Sequence, residues 1–363
     1  MPVPSAAEHL RAAIQAAGGQ ISFAEFMSHA LYGDEGFYTR DSDTGRAGRR
    51  GDFITSPEVG PLFGAVIARA LDNWWNQLGR PEVFTFVDVG AGPATLARSV
   101  LSSEFECKPH LRYIAVEISA AQRAMHPTGV ESVAVMPTAL TNAVVFANEL
   151  LDNLAFELWV YDGGWKQSYI KTDGDKFVEV LVVQEPPACL PASAPHGSRA
   201  PVLKDACNWL QHTLAHLDNG VVVVIDYCSP STTLIAHTPW REWLRTYVGH
   251  ERGGHYLQNP GKQDITVQVL IDQLQAVEVP TTIRTQEQFL QLWGIDDLVA
   301  QGKRVWQENA SAPNLAVMKM RSRVSEAEAL LDSAGLGAFT VLEWQKQNLS
   351  ARDDSSALHH KSQ

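Results

Sequence analysis

Apolar residues in the first 80 positions recur at helical spacing. Leu10 and Ile14, four apart, mark a helix over residues 6–17. Ser22, with Glu25 three positions on, forms a capping box that opens a second helix over 23–31. Leu62, Val66, Ile67, Leu71 and Trp74 share one face of a third, over 59–78. Between the second and third, residues 33–58 carry Gly, Asp and Arg with little periodicity. That is a long loop, and such loops in compact domains are usually functional or disordered.

Beyond residue 80 the period changes. Short Val/Ile/Phe runs at 84–89, 113–116, 133–135, 143–146 and 221–225 alternate with helical stretches at 94–101 and 120–125. Continuous apolar runs are strands buried on both faces. Their alternation with helices predicts a parallel sheet with right-handed crossovers. Runs at 156–161, 165–171 and 177–183, separated by Asp162-Gly163-Gly164 and Asp173-Gly174-Asp175, predict an antiparallel meander inserted into that sheet. Residues 184–201 hold five of the 19 prolines and read as a surface loop. The expected fold class is therefore α/β, a doubly wound Rossmann-like sheet. The expected domains are a helical N-terminal extension (1–80) carrying an active-site loop (33–58), a main domain (81–340) with the β insertion at 156–201, and a polar tail (345–363).

Composition narrows the function. The net charge of −12 disfavours nucleic acid, because phosphate electrostatics would oppose binding, and it steers a basic protein or peptide inward. Cys107, Cys189, Cys207 and Cys228 form no C-x-x-C pair and have no adjacent His cluster, so no metal site and no disulfide framework is expected. No apolar run reaches the roughly 18 residues of a membrane helix, and no secretory or transit signal opens the chain. No membrane partner and a cytoplasmic location are the corresponding expectations.

The chemistry concentrates at Asp88-Val89-Gly90-Ala91-Gly92-Pro93, where an apolar strand ends in a Gly-x-Gly turn and feeds a helix. Glycines let the backbone turn tightly and approach a ligand. Glu117 closes the next strand, where a carboxylate accepts both hydroxyls of an adenosine ribose. A dinucleotide site needs a third glycine where this chain has Thr95. Asp88 would repel a pyrophosphate but hold the ammonium of a methionine moiety. The cofactor expected is S-adenosylmethionine, with NAD the weaker alternative and a bare tight turn the bland one.

At this point the sequence resembles the MidA-type methyltransferases over roughly residues 20 to 340. The matching pieces are Leu31-Tyr32 through Gly36-Phe37-Tyr38, Gly51-Asp52-Phe53-Ile54-Thr55-Ser56-Pro57-Glu58-Val59, Leu62-Phe63-Gly64, Gly90/Gly92, Val116-Glu117-Ile118-Ser119, Asn148-Glu149-Leu150-Leu151-Asp152, Ile225-Asp226-Tyr227, Pro260-Gly261, Asp264-Ile265-Thr266, and Thr285-Gln286 with Phe289. Ala94 stands where the family has a third glycine, and Cys228 where it has a glycine after Asp-Tyr. The resemblance implies a class I methyltransferase sheet and N-methylation of an arginine on a basic partner protein. A homodimer is a further expectation. It implies Asp88, Gly90, Ala91, Gly92, Glu117, Ile118, Asn148 and Thr55 around the cofactor. It implies Glu149 and Asp152 as the catalytic carboxylates that hold a guanidinium.

Each residue has a plainer reading. Asp52 and Glu58 also fit a turn and a first helical turn, Asn148 and Glu149 helix caps, Asp226 a loop cap, Tyr227 simple packing, and His255 and Tyr256 a solvated loop. Other functions remain open too: a methyltransferase acting on a small molecule or another protein nitrogen, and an assembly factor that keeps the fold without the catalysis.

Overall fold

The computed structural model describes residues 4–40, 55–249 and 251–346. Asp52, residues 51–54 of its motif and the tail beyond Lys346 lie outside them.

A seven-stranded sheet forms the centre. Its strands, numbered along the chain, are β1 (Phe84–Val89), β2 (Leu111–Val116), β3 (Glu131–Val133), β4 (Leu140–Asn148), β5 (Leu217–Asp226), β6 (Thr282–Thr285) and β7 (Thr340–Lys346). They lie in the order β6-β7-β5-β4-β1-β2-β3. β3, β2, β1, β4 and β5 are mutually parallel, and β7 runs antiparallel to both neighbours. Alternate side chains enter two cores. Val87, Val89, Val145 and Val224 face the N-terminal helices. Phe84, Phe86, Phe146 and Val223 face the long helix Pro61–Gln77. Burial on both faces explains the unbroken apolar runs, and the doubly wound class is met.

The N-terminal helices Ala6–Ala16 and Phe23–Tyr32 form as their caps predict, with capping boxes at Ser5/Glu8 and Ser22/Glu25. Between them, Gln20–Ser22 is a strand. It pairs antiparallel with Trp165–Asp173, Ser22 facing Tyr169, and so joins the meander sheet. That sheet also holds Glu157–Tyr161, Lys176–Val182 and Arg199–Val202. The loop expected over 184–201 thus ends as a strand at the sheet edge, the position where Pro201 is tolerated.

Three local expectations change. The helix over 59–78 is broken into Ser56–Val59 and Pro61–Gln77, with Gly60 between them at φ 163°. A side chain at Gly60 would collide with the Glu326 carboxylate, whose Oε2 accepts the Leu62 N–H at 2.8 Å. The strand expected at 133–135 lies at Glu131–Val133, and Val135 is 75% exposed. Ala94 is left-handed, at φ 61° and ψ 43°, rather than helical. An alanine there costs about 1–2 kcal/mol that the family's glycine avoids.

Candidate active site

The parallel strands deliver their carboxyl ends to one edge, and the order reverses around β1, between β4 and β2. Ligands bind at such a crevice in open α/β sheets. A cavity of about 520 Å³ opens there, within the range of small-molecule sites.

One end of the cavity is the glycine turn. Gly90 N–H and Ala91 N–H both donate to Val116 O, at 2.9 and 3.1 Å, which folds the turn against β2. Gly90 has φ 73° and Gly92 φ 53°, and a Cβ on Gly92 would meet nothing within 4 Å. Glu117 braces the turn: Oε2 accepts Gly92 N–H at 2.9 Å and Oε1 accepts Ser119 N–H at 2.7 Å. Each oxygen keeps a free lone pair for a hydroxyl. Burial pushes its carboxyl up, and these two N–H donors oppose the shift. Asp88, at the end of β1, accepts the Tyr113 hydroxyl at 2.8 Å. Its carboxyl is pushed up to about 7 by burial, against that hydrogen bond, with the Glu117 charge adding to the rise.

At the other end stands Glu149. It follows β4 in a left-handed backbone conformation, φ 52°, and is no helix cap. Its Oε1 accepts Ser56 N–H at 3.2 Å and Asn148 Nδ2 at 3.0 Å. Burial raises its carboxyl to about 7 despite both donors. Ser56 is itself held: its hydroxyl donates to Gln286 Oε1 at 2.9 Å, and Gln286 Nε2 donates to Leu330 O at 3.2 Å. The aromatic wall comes from Tyr32 and Tyr38, nearly parallel with ring centres 5.5 Å apart. Their hydroxyls donate to Asn153 O and Asp264 Oδ1, each at 3.1 Å.

Asp88, Gly90, Ala91, Gly92, Glu117, Ile118, Asn148, Thr55 and Glu149 all line this cavity. Asp152 does not. The helix that would place it beside Glu149 is a single 3-10 turn, Leu151–Asn153, and Glu149 precedes it. Asp226 caps that turn, its Oδ2 accepting Leu151 N–H at 3.0 Å and Asp152 N–H at 3.3 Å. Asp152 therefore sits behind the wall, where burial, then Asp226, Asp264 and Glu149, hold its carboxyl well above the ordinary range. His255 and Tyr256 lie away from the cavity; Tyr256 is buried and donates to Glu179 Oε1 at 3.2 Å. Tyr32, Tyr38, Gln122, Asn153 and Trp209 are lining residues that the sequence reading misses. Only the two tyrosines left a signal, in the Leu31-Tyr32 and Phe37-Tyr38 pieces of the resemblance.

Polar groups on the cavity wall lack a partner among the described residues. Among the described residues, Gln122 Oε1, Asn148 Oδ1 and Trp209 Nε1 are buried without a hydrogen-bond partner, and all three residues line it. Buried polar atoms in native proteins are ordinarily satisfied, so a ligand that completes them fits. No group of His, Cys, Asp and Glu among the described residues could hold a metal ion.

Raised carboxyls, Asp88 and Glu149 among them, set the pH response of the ligand-free protein. A native carboxyl that titrates near 7 holds a proton that the unfolded chain releases near 4, so stability falls as pH rises through that window. Asp88 and Glu149 each remove on the order of 2–3 kcal/mol between pH 5 and pH 8. At Glu179 burial pushes the carboxyl up, but Arg199, Ser168 and Tyr256 together outweigh it and hold it low, so its contribution is lost only at more acid pH. Thermal melts are expected to show a lower melting temperature at pH 8 than at pH 5.5. A flat or rising trend would mean these carboxyls are not buried as described.

A doubly wound sheet whose crevice joins a glycine turn, a strand-end glutamate and a buried second carboxylate defines a Rossmann-like methyltransferase. The chain belongs to the family described as "Putative S-adenosyl-L-methionine-dependent methyltransferase", whose model matches residues 66–286. S-adenosylmethionine is the cofactor of that family. The chain is also similar to the mitochondrial protein arginine methyltransferase NDUFAF7 homolog of Drosophila melanogaster, 36% identical over 124 residues, which is 32% of this chain and 28% of the relative. It is similar to human mitochondrial protein arginine methyltransferase NDUFAF7, 34% identical over 102 residues, 28% of this chain and 22% of the relative. The matches thus span about a quarter of these curated relatives. A Burkholderia thailandensis structure bound to S-adenosyl-homocysteine shares the fold, with a TM-score of 0.78 at 23% identity over 95% of each chain.

Glu117→Ala is expected to weaken S-adenosylhomocysteine binding by about 1.5–3 kcal/mol, the worth of charge-assisted hydrogen bonds. Because the carboxylate also braces Gly92, stability should drop by on the order of 1 kcal/mol as well. Titration calorimetry with unchanged affinity would leave Glu117 a brace alone.

Proposed function

We propose that the protein methylates a guanidinium nitrogen of an arginine on a partner protein. The observation that carries this is Glu149. Its half-buried carboxylate looks into the same cavity as the glycine turn and Glu117, and two fixed donors hold it in place. The names of the arginine methyltransferase relatives support the acceptor class.

The cofactor, when bound, supplies an electrophilic methyl group on a sulfonium. Gly90, Ala91 and Gly92 give its methionine part close backbone approach. Glu117 accepts from the ribose hydroxyls, beside Ile118. Asp88 offers a carboxylate to the ammonium, and Thr55 and Asn148 flank it. Glu149 orients the guanidinium through charge-assisted hydrogen bonds, and a cation beside it favours its ionised form. As the nitrogen gains a methyl from the sulfonium it gives up a proton, and the Glu149 carboxylate beside it is placed to take it. Tyr32 and Tyr38 close the site to water with their ring faces, and Asp152 packs behind the wall.

Label transfer from methyl-labelled S-adenosylmethionine into a proteome extract tests the reading. Hydrolysis of the labelled protein is expected to release methylarginine. Label confined to lysine, or to the small-molecule fraction, would replace arginine with another acceptor. Stabilisation of the protein by NAD and not by S-adenosylhomocysteine would remove methyl transfer altogether.

A further inference from the structure

His255 stands between two depressions on the surface, one of about 640 Å³ and one of about 180 Å³, and lines both. The larger is walled by the start of the first helix, the hairpin tip at Asp175 and Lys176, and the 257–262 segment. It carries Arg11, Arg40, Lys176 and Lys262. The smaller carries Arg241, Arg245 and Arg252. None of these cations forms an ion pair among the described residues. Among the described residues the carboxylates on the walls are Glu35 and Asp175. A protein of net charge −12 thus gathers, along the groove these two depressions make on either side of His255, seven cations that form no ion pair among the described residues.

Four of the guanidinium groups are already laid on aromatic rings. Arg11 lies over Phe177 at 5.3 Å, Arg40 over Phe37 at 5.9 Å, Arg241 over Trp240 at 4.3 Å and Arg245 over Tyr227 at 5.6 Å. Stacking limits their rotamers while leaving N–H edges for an anion. The groove adjoins the cavity through two short chain segments. Tyr38 walls the cavity and Arg40 the groove. Lys262 walls the groove, and Asp264 accepts the Tyr38 hydroxyl.

We infer that this groove docks an acidic segment of the polypeptide whose arginine enters the cavity. The inference rests on the arginine reading above and adds a charge pattern to it: a basic residue for the acidic pocket, carboxylates for the basic groove beside it. Guanidinium groups pair with carboxylates in bidentate fashion. A nucleic acid strand is the other polyanion of this kind, but the whole-protein charge repels a long phosphate backbone at range. A peptide with a few carboxylates and an arginine carries far less charge than such a backbone, is repelled less, and offers the cavity its arginine.

The test uses three fluorescent probes: a peptide with one arginine beside a run of glutamates, its glutamine counterpart, and single-stranded oligothymidylate of the same charge as the first. Anisotropy titrations should give at least roughly tenfold tighter binding of the glutamate peptide than of the other two. Arg252 and Lys262 are exposed, and among the described residues their side chains make no hydrogen bond, so their reversal spares the fold. The double variant Arg252→Glu, Lys262→Glu should lose that preference and keep its affinity for S-adenosylhomocysteine. With a methylated peptide its KM should rise and its kcat stay. Equal binding of the glutamate and glutamine peptides, tighter binding of oligothymidylate, or an unaffected double variant each overturns the inference. Selective, reversal-sensitive binding of a glutamate peptide that is never methylated would uphold the groove and sink the arginine reading instead.

Discussion

Glu149→Gln is expected to lower methyl transfer to protein arginine by about 100-fold or more, the usual worth of a positioned acid–base group. Affinity for S-adenosylhomocysteine should change little. Both donors to Glu149 meet the same oxygen, Oε1, which glutamine retains, so the shape of the site survives. The variant should also be more stable than the wild type at pH 8, by up to about 3 kcal/mol, because it removes a charge that burial penalises. The sign follows from the raised carboxyl: the wild type loses stability as pH rises through the interval between the unfolded value, near 4.5, and about 7, and the amide does not. The stability difference should therefore vanish near pH 4.5. Kinetics on a methylated protein together with melts at both pH values give the answer. A variant that turns over at the wild-type rate, or one less stable at pH 8, would make Glu149 a structural residue. Asp152→Asn should raise stability too, with a smaller loss of turnover, since Asp152 acts from behind the wall.

Gly90→Val is expected to abolish detectable S-adenosylhomocysteine binding. At φ 73° a β-branched residue is held in a conformation it strongly disfavours, at a cost of roughly 1–3 kcal/mol. Its Cβ would also lie 3.0 Å from Leu150 Cδ1. That methyl ends a flexible side chain and can retreat, so the backbone strain decides the outcome. Relief of the strain rotates the turn and breaks the Gly90 and Ala91 hydrogen bonds to Val116 O. Calorimetry and circular dichroism on the same sample separate lost binding from lost fold. A folded valine variant with normal affinity would remove the turn from the site. Gly92→Ala, strained at φ 53° but with no β-branch and no protein atom within 4 Å of its methyl, should also weaken binding, by less than Gly90→Val.

Local signals in the sequence reached as far as local forces do. β1, with both faces buried, stands out as an apolar run and is found at 84–89 as expected. The Ser22/Glu25 cap is a contact between neighbours and is equally plain. β6, β7 and the helices Ile295–Asn309 and Leu315–Leu330 went unread. β6 shows little burial, and the second helix has polar residues around most of its circumference. The break at Gly60 was visible in Pro61 but hidden by the apolar face that continues past it. Within the site, Glu149 was marked by its motif, but its support was not: Ser56 and Gln286 meet across 230 positions. Asp152 was misplaced for a related reason. A three-residue spacing implies a shared face only inside a regular helix, and the left-handed residue at 149 ends that premise.

The pairing of Gln20–Ser22 with Lys171, Ile170 and Tyr169 sets a timetable for assembly. About 150 residues of chain must be made and brought round before the first strand meets its partner, and so distant a closure is slow. Tyr32 and Tyr38 travel with that early segment, so the aromatic wall arrives after the glycine turn. A ribosome-bound intermediate would already own β1 and β2 yet present half a pocket to the solvent. Pulse-labelling hydrogen exchange during refolding should find the amides of β1 protected ahead of those at Ile21 and Ser22.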